Sequence, residues 1–157
     1  MPKHQQSLII IKPDAIQRGL LGEIVHRFER KGLNIVGLKM VQLEGAIIDD
    51  HYAHHKDKSF FSAVKRFMTS SPVVLMVVSG FNAIDAIRLI AGPTKGYEAD
   101  AGSIRGDFAL SGQANIVHAS DSLESAVAEI KRFFKPEELF SYKRPEHSVL
   151  YAEDEQL

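Results

Sequence analysis

The chain has no cysteine, which excludes disulfides, thiolate nucleophiles and thiolate metal ligands. It also has no long apolar run. The N-terminal stretch MPKHQQSLIIIKPDA holds one apolar segment, Leu8 to Ile11, too short for a signal-peptide core or a membrane span. No other segment approaches the length of a span, so a cytoplasmic protein without membrane contact is the expectation. Charge of one sign is missing as well. Nineteen basic and 20 acidic residues leave a net charge of -1, which argues against a general nucleic-acid or membrane-surface binder. Any phosphate site must therefore be a local cluster of cations. A Gly-rich Walker loop is absent: Gly92-Pro93-Thr94-Lys95-Gly96 lacks its spacing. There is no internal repeat, no low-complexity tract and no linker.

What remains is an ordinary globular composition, 45% hydrophobic and 25% charged over 157 residues. One domain spanning 1–157 is expected. Ser7 to Lys12 reads as a buried strand ended by Pro13. Leu20 to Lys31 reads as an amphipathic helix with Leu21, Ile24, Val25 and Phe28 inward, and Gly32 closes it. A long strand from Leu33 to Leu43 follows, then helices over Ala46 to Lys56 and Phe60 to Met68. Pro72 to Ser79, PVVLMVVS, is a central strand. Asn82 is expected to cap a helix over Ala83 to Ala91. A glycine-rich loop covers 92–114, and a loop that long in a compact domain is more often functional than idle. The segment 135–157 is irregular. Without its insertions the order is βαββαβ: an α+β, ferredoxin-like fold with a four-stranded antiparallel sheet and helices packed on one face.

The chain turns on Asn115-Ile116-Val117-His118-Ala119-Ser120-Asp121-Ser122. An apolar strand delivers one histidine to its end, and a helix follows. Asp121 and Glu124 have capping-box spacing. The helix places Ala126, Glu129, Ile130 and Phe133 on one stripe. A carboxylate on an inward stripe needs a partner, and His118 is at hand. A histidine held through one ring nitrogen leaves the other free to attack. The plain alternative is a packed core histidine beside an edge charge.

Further polar groups sit at element ends: Lys12, Tyr52, Arg88, Thr94, Arg105, Asn115 and Ser120. Three cations, hydroxyls and one imidazole suit phosphate handling. With no Walker loop, an imidazole nucleophile is the natural carrier of a transferred phosphate. His51, His54 and His55 form a second group at helical spacing. Only Asp50 stands beside them, so they read as a partly packed, solvated face and not as a metal site.

The segments SLIIIKPDAIQRGLLGEI, HY at 51–52, FF at 60–61, IRGDF at 104–108 and NIVHASDS at 115–122 closely resemble nucleoside diphosphate kinases. The last segment is similar to that family's NxxH-G-S-D signature, with Ala119 in the glycine position. The resemblance runs from Ser7 to about Tyr151. It implies a ferredoxin-like fold and ping-pong transfer of the γ-phosphate from a nucleoside triphosphate such as ATP to a nucleoside diphosphate. It implies a phosphorylated His118, with Glu129 and Ser120 orienting the ring. It further implies Lys12, Tyr52, Arg88, Thr94 and Arg105 around the phosphates, Lys12 and Asn115 on the sugar, and Phe60 against the base. Mg²⁺ would be held mainly by phosphate oxygens and water, with Asp121 nearby and no protein metal site of its own. In hexameric relatives the long loop and C-terminal segment pack against neighbours, so a homohexamer is expected. Departures from the family pattern are Ala119, Gly112 where an apolar residue is usual, His55 where leucine is usual, and no proline near Gly96.

Two other classes are weighed against this. An RNA-binding ferredoxin-like module would show strand aromatics and positive charge; these strands are aliphatic. A catalytically silent, nucleotide-binding relative would lack the histidine and cation set, which is intact here.

Overall fold

The computed structural model describes residues 4–155. The first three residues of the N-terminal stretch and the last two of the C-terminal segment lie outside them. The sheet has four strands: β1 (His4–Ile11), β2 (Asn34–Val41), β3 (Val73–Phe81) and β4 (Val117–Ala119), in the order β2-β3-β1-β4. Every neighbouring pair is antiparallel, as the ferredoxin-like reading requires. Its helices are α1 (Pro13–Gln17), α2 (Leu21–Arg30), α3 (Gly45–His51), α4 (Phe61–Met68), α5 (Ala83–Ala91), α6 (Ile104–Phe108), α7 (Leu123–Phe133) and α8 (His147–Leu150).

One expectation fails at this level. Helices cover both faces of the sheet, not one. Ile9, Ile11, Val74 and Met76 pack with Ile24 and Phe28 of α2 and Ile87 of α5. Leu8, Ile10, Leu75 and Val77 pack with Ile48 of α3, Met68 of α4 and Phe133 of α7. The cause lies in the strands themselves. Val73 to Gly80 and Ser7 to Ile11 are buried at every position, and a strand without polar alternation needs cover on both sides.

Several boundaries also move. Pro13 ends β1 but opens α1, where its fixed φ suits the first helical position. The expected helix 46–56 splits into α3 and a 3₁₀ turn, Ala53–His55. Asn82 stands at φ 51° and its side chain caps nothing. Instead the Gln5 side chain accepts from the Ile84 N–H at 3.1 Å. Ser122, not Asp121, caps α7, accepting from the Ser125 N–H at 3.1 Å. The long loop carries a 3₁₀ turn at Gly96–Glu98 and α6, capped by Ser103. A Cβ on Gly96 would collide with the Ala109 carbonyl, so only glycine fits that crossing.

The C-terminal segment runs back along β2. Phe140 N–H donates to the Val36 carbonyl at 2.8 Å, and the Tyr142 hydroxyl donates to the Ile35 carbonyl at 2.7 Å. Phe140, Tyr142 and Val149 nevertheless stay exposed. No helix among the described residues is long and apolar enough to cross a membrane.

Candidate active site

β4 has one neighbour, β1, and pairs His118 with Ile10 across the ladder. Its entry is bent by an uncommon device. Ile116 stands at φ 76°, a region that β-branched residues avoid. The Val117 N–H donates back to the Asn115 carbonyl at 2.9 Å, closing a γ-turn around Ile116. Both polar groups of Ile116 are then held from one short segment. Its N–H donates to Asp14 Oδ2 at 3.1 Å, and its carbonyl accepts from the Lys12 N–H at 2.9 Å. The Lys12-Pro13-Asp14 turn thus sets the angle at which His118 enters the site.

The ring of His118 is oriented from α7. Its Nε2 lies 3.0 Å from Glu129 Oε2. The same oxygen accepts from the Ser120 hydroxyl at 2.6 Å, and the Ser120 oxygen accepts from the Leu8 N–H at 3.1 Å. Burial tends to raise the Glu129 carboxyl, but hydrogen bonds from His118 and Ser120 outweigh it and hold its pKa below the ordinary value. An ionised carboxylate only accepts, so the ring proton sits on Nε2 and Nδ1 keeps its lone pair.

His118 and Glu129 line a cavity of about 770 Å³. Around it the cations expected from sequence converge: Lys12, Arg88 and Arg105. Lys12 Nζ donates to Asn115 Oδ1 at 2.6 Å. Burial, then the charge of Arg105, lowers its pKa to about 8. Arg105 is lowered to about 10 by burial and by Arg88. Cations disfavoured by burial and then by one another call for a polyanion. Tyr52 is raised to about 12 by burial and by Glu129, so its hydroxyl stays a neutral donor.

Two of the expected residues are more committed than the sequence implied. Arg105 donates to the carbonyls of Asn115, Gly92 and Val117, which leaves it two of five N–H groups for a ligand. Asn115 donates both amide protons, to Thr94 O at 2.8 Å and Gly112 O at 3.1 Å. Both residues therefore brace the long loop as well as face the cavity.

Other parts of the lining are looser. Phe60 is 44% exposed, with His55 edge-on at 5.4 Å. Gly112 lines the same cavity, and an added Cβ there would touch only Lys95 Cγ at 3.8 Å.

The histidine group is corrected too. His51 is buried and leaves the solvated face; its ring meets that of His118 edge-on at 4.8 Å.

Comparison with known proteins places this geometry. The family model for nucleoside diphosphate kinase matches residues 5–139. The chain is 50% identical over 151 residues to a nucleoside diphosphate kinase of Parabacteroides distasonis, covering 96% of this chain and 99% of that one. This chain belongs to the nucleoside diphosphate kinase family. It is a phosphotransferase that moves the γ-phosphate of a nucleoside triphosphate to a nucleoside diphosphate. A halophilic enzyme of the family from Halobacterium salinarum, solved in complex with CDP, superposes with a TM-score of 0.93 at 37% identity, covering 96% of this chain and all of that one. A Borrelia burgdorferi enzyme with bound vanadate and ADP, a transition-state mimic, superposes at 0.87 with 34% identity over 93% of this chain and 96% of that one.

Sequence reading passed over Asp14 and Arg132, and placed His51 on a solvated face. Asp14 carried a weak signal, a carboxylate directly after a strand-ending proline. His51 and Arg132 meet across α3 and α7, and no local pattern announces that pairing.

Proposed function

We propose that His118 carries the phosphoryl group between two nucleotides. The observation that carries this reading is the Glu129–His118 hydrogen bond, which leaves Nδ1 unprotonated beside a cavity lined by cations. In the first half-reaction Nδ1 attacks the γ-phosphorus. The N–P bond forms, the bond to the β–γ bridging oxygen breaks, and the nucleoside diphosphate leaves with that electron pair. In the second, a β-phosphate oxygen of another diphosphate attacks phosphorus, and the N–P electrons return to the ring. The phosphorylated ring is more cationic, so Glu129 stabilises the intermediate more than the free enzyme.

Lys12, Arg88 and Arg105 neutralise the phosphates, with Tyr52 and Thr94 as neutral donors. Lys12 and Asn115 meet the sugar hydroxyls, and Phe60 stacks on the base. A nucleotide-borne divalent metal fits this donor set. The cavity supplies cations and only Glu129 and Asp121 as carboxylates, and Glu129 is already engaged. Mg²⁺, which keeps phosphate and water ligands, would ride on the phosphates near Asp121 and polarise them.

The chain acts as one domain in the cytoplasm, assembled as a homohexamer. Exposed Phe140, Tyr142 and Val149 on the C-terminal segment support assembly. Light scattering at micromolar concentration checks it, and a monomer contradicts it. Initial-rate kinetics test the chemistry. Parallel double-reciprocal lines on varying donor and acceptor support a covalent intermediate; intersecting lines exclude it.

A further inference from the structure

Beside the nucleophile lies a second imidazole with no role in that transfer. His51 is 5% exposed. Its Nδ1 is 3.1 Å from Arg132 Nη1, and its Nε2 is buried without a hydrogen-bond partner. Arg132 is in turn anchored by Asp50, Nε to Oδ2 at 2.6 Å. His51, His118 and Glu129 each offer a ligand atom, all within 4.8 Å of one another. Two imidazoles and a carboxylate form a set that Zn²⁺ or Co²⁺ prefers and Mg²⁺ does not. Two Zn–ligand bonds of about 2.0–2.1 Å reach about 4 Å, so a small rotation of one ring would close the site.

A neutral imidazole binds a metal through one nitrogen and keeps its proton on the other. His118 can meet that condition: Glu129 faces its Nε2 at 3.0 Å, so the metal would sit between Nε2 and the carboxylate while the ring proton moves to Nδ1. His51 does not. A guanidinium has donors only and no acceptor, so the Arg132 contact is a hydrogen bond only when Nδ1 is bare and the proton is on Nε2. To ligate a metal through Nε2, that proton must move to Nδ1, where two N–H groups would then face each other at 3.1 Å.

We propose that His51, His118 and Glu129 form a latent transition-metal site, and that Arg132 keeps it closed by fixing His51 as the Nε2–H tautomer. A metal on Nε2 of His118 would leave the ring proton on Nδ1, the atom that takes the phosphoryl group, so the lock protects the nucleophile. Only this protective consequence rests on the function proposed above; the tautomer and the metal binding do not.

The test compares the wild-type protein with Arg132→Met, which removes the donor and keeps the stem. Zn²⁺ binding by calorimetry should tighten by about tenfold or more, the scale on which partners behind metal ligands act. Co²⁺ should develop a visible absorption in the variant that the wild type lacks at the same concentration. His51→Phe added to Arg132→Met should remove both signals. With Mg²⁺ present, Zn²⁺ should inhibit phosphate exchange in Arg132→Met at concentrations that spare the wild type, and a chelator should restore it. Equal binding by wild type and Arg132→Met overturns the lock, and binding that survives His51→Phe overturns the site. Independently of any variant, ¹⁵N NMR of the wild-type protein should show His51 Nδ1 as the unprotonated ring nitrogen. A proton on Nδ1 overturns the proposal. Zn²⁺ sensitivity without phosphohistidine formation would leave the metal site standing and refute the transfer mechanism instead.

Discussion

Two regions of the cavity are built on opposite terms. Around His118 several of the polar side chains are already committed to protein partners. Glu129 holds His118 and Ser120, Asp14 holds the turn before His118, and Arg105 and Asn115 brace the loop with most of their donors. Elsewhere in the lining, where the base is proposed to lie, stand a 44% exposed Phe60 and Gly112, with little to grip a particular heterocycle. On the binding mode proposed above, the contrast locates selectivity: preorganised donors would act on groups that every nucleotide shares, while the variable part would meet only a stacking surface. Transfer should therefore be exacting in geometry and tolerant of the base.

Breaking the reacting region should have the largest effects. His118→Ala should abolish exchange, since it removes the ring that Glu129 orients towards the cavity; near-normal turnover in a stopped assay would refute the assignment. Glu129→Gln keeps the nucleophile but loses charge and part of the ring's orientation. Its kcat should fall about 100-fold, within the range for positioned proton-handling groups, with KM little changed.

In the base region the changes should be smaller and appear in binding. Phe60→Ala should weaken a nucleoside diphosphate by about 1–3 kcal/mol, the worth of one stacked base. Calorimetry reads this directly, and an unchanged Kd would remove Phe60 from the base slot. The cations of the lining predict a pH signature. Lys12 has a pKa near 8 in the free protein, and a bound polyanion must raise it. Binding near pH 8 and above should therefore take up a proton, visible as a dependence of the binding heat on buffer ionisation. Free-protein stability should rise with pH from about 8 towards the ordinary lysine value of 10.5, because there the unfolded chain binds more protons. The smallest effect should come from Gly112→Val. Gly112 lies outside the left-handed region and an added Cβ meets only Lys95 Cγ. A valine there would partly bury methyl groups worth about 0.8 kcal/mol each when fully buried, tightening binding by about two- to fourfold. A folded variant that binds no better would show that the slot needs no second wall.

Much of the reacting region was legible in sequence because its signals are local. His118 stands at the end of a short apolar strand, and Glu129 interrupts the inward stripe of the next helix. The fold order followed from the alternation of apolar runs. The two-sided cover of the sheet was legible too: PVVLMVVS has no polar face to leave in water, yet the one-faced expectation overlooked it. The supports behind the site were not legible. Asp14 reaches Ile116 across 102 positions of the chain and Arg132 reaches His51 across 81, and such contacts appear only once the sheet has assembled. The Asp121 cap failed for a smaller reason: Ser122, one residue on, offers an equally good acceptor.

Whether the phosphoryl group rests on His118 is read by incubation with γ-labelled ATP and Mg²⁺, without acceptor. The protein should take up stoichiometric label that survives base, is lost in acid, maps to His118 and leaves completely on adding a nucleoside diphosphate. Label absent from the protein, or stable to acid, or present in His118→Ala, would contradict it.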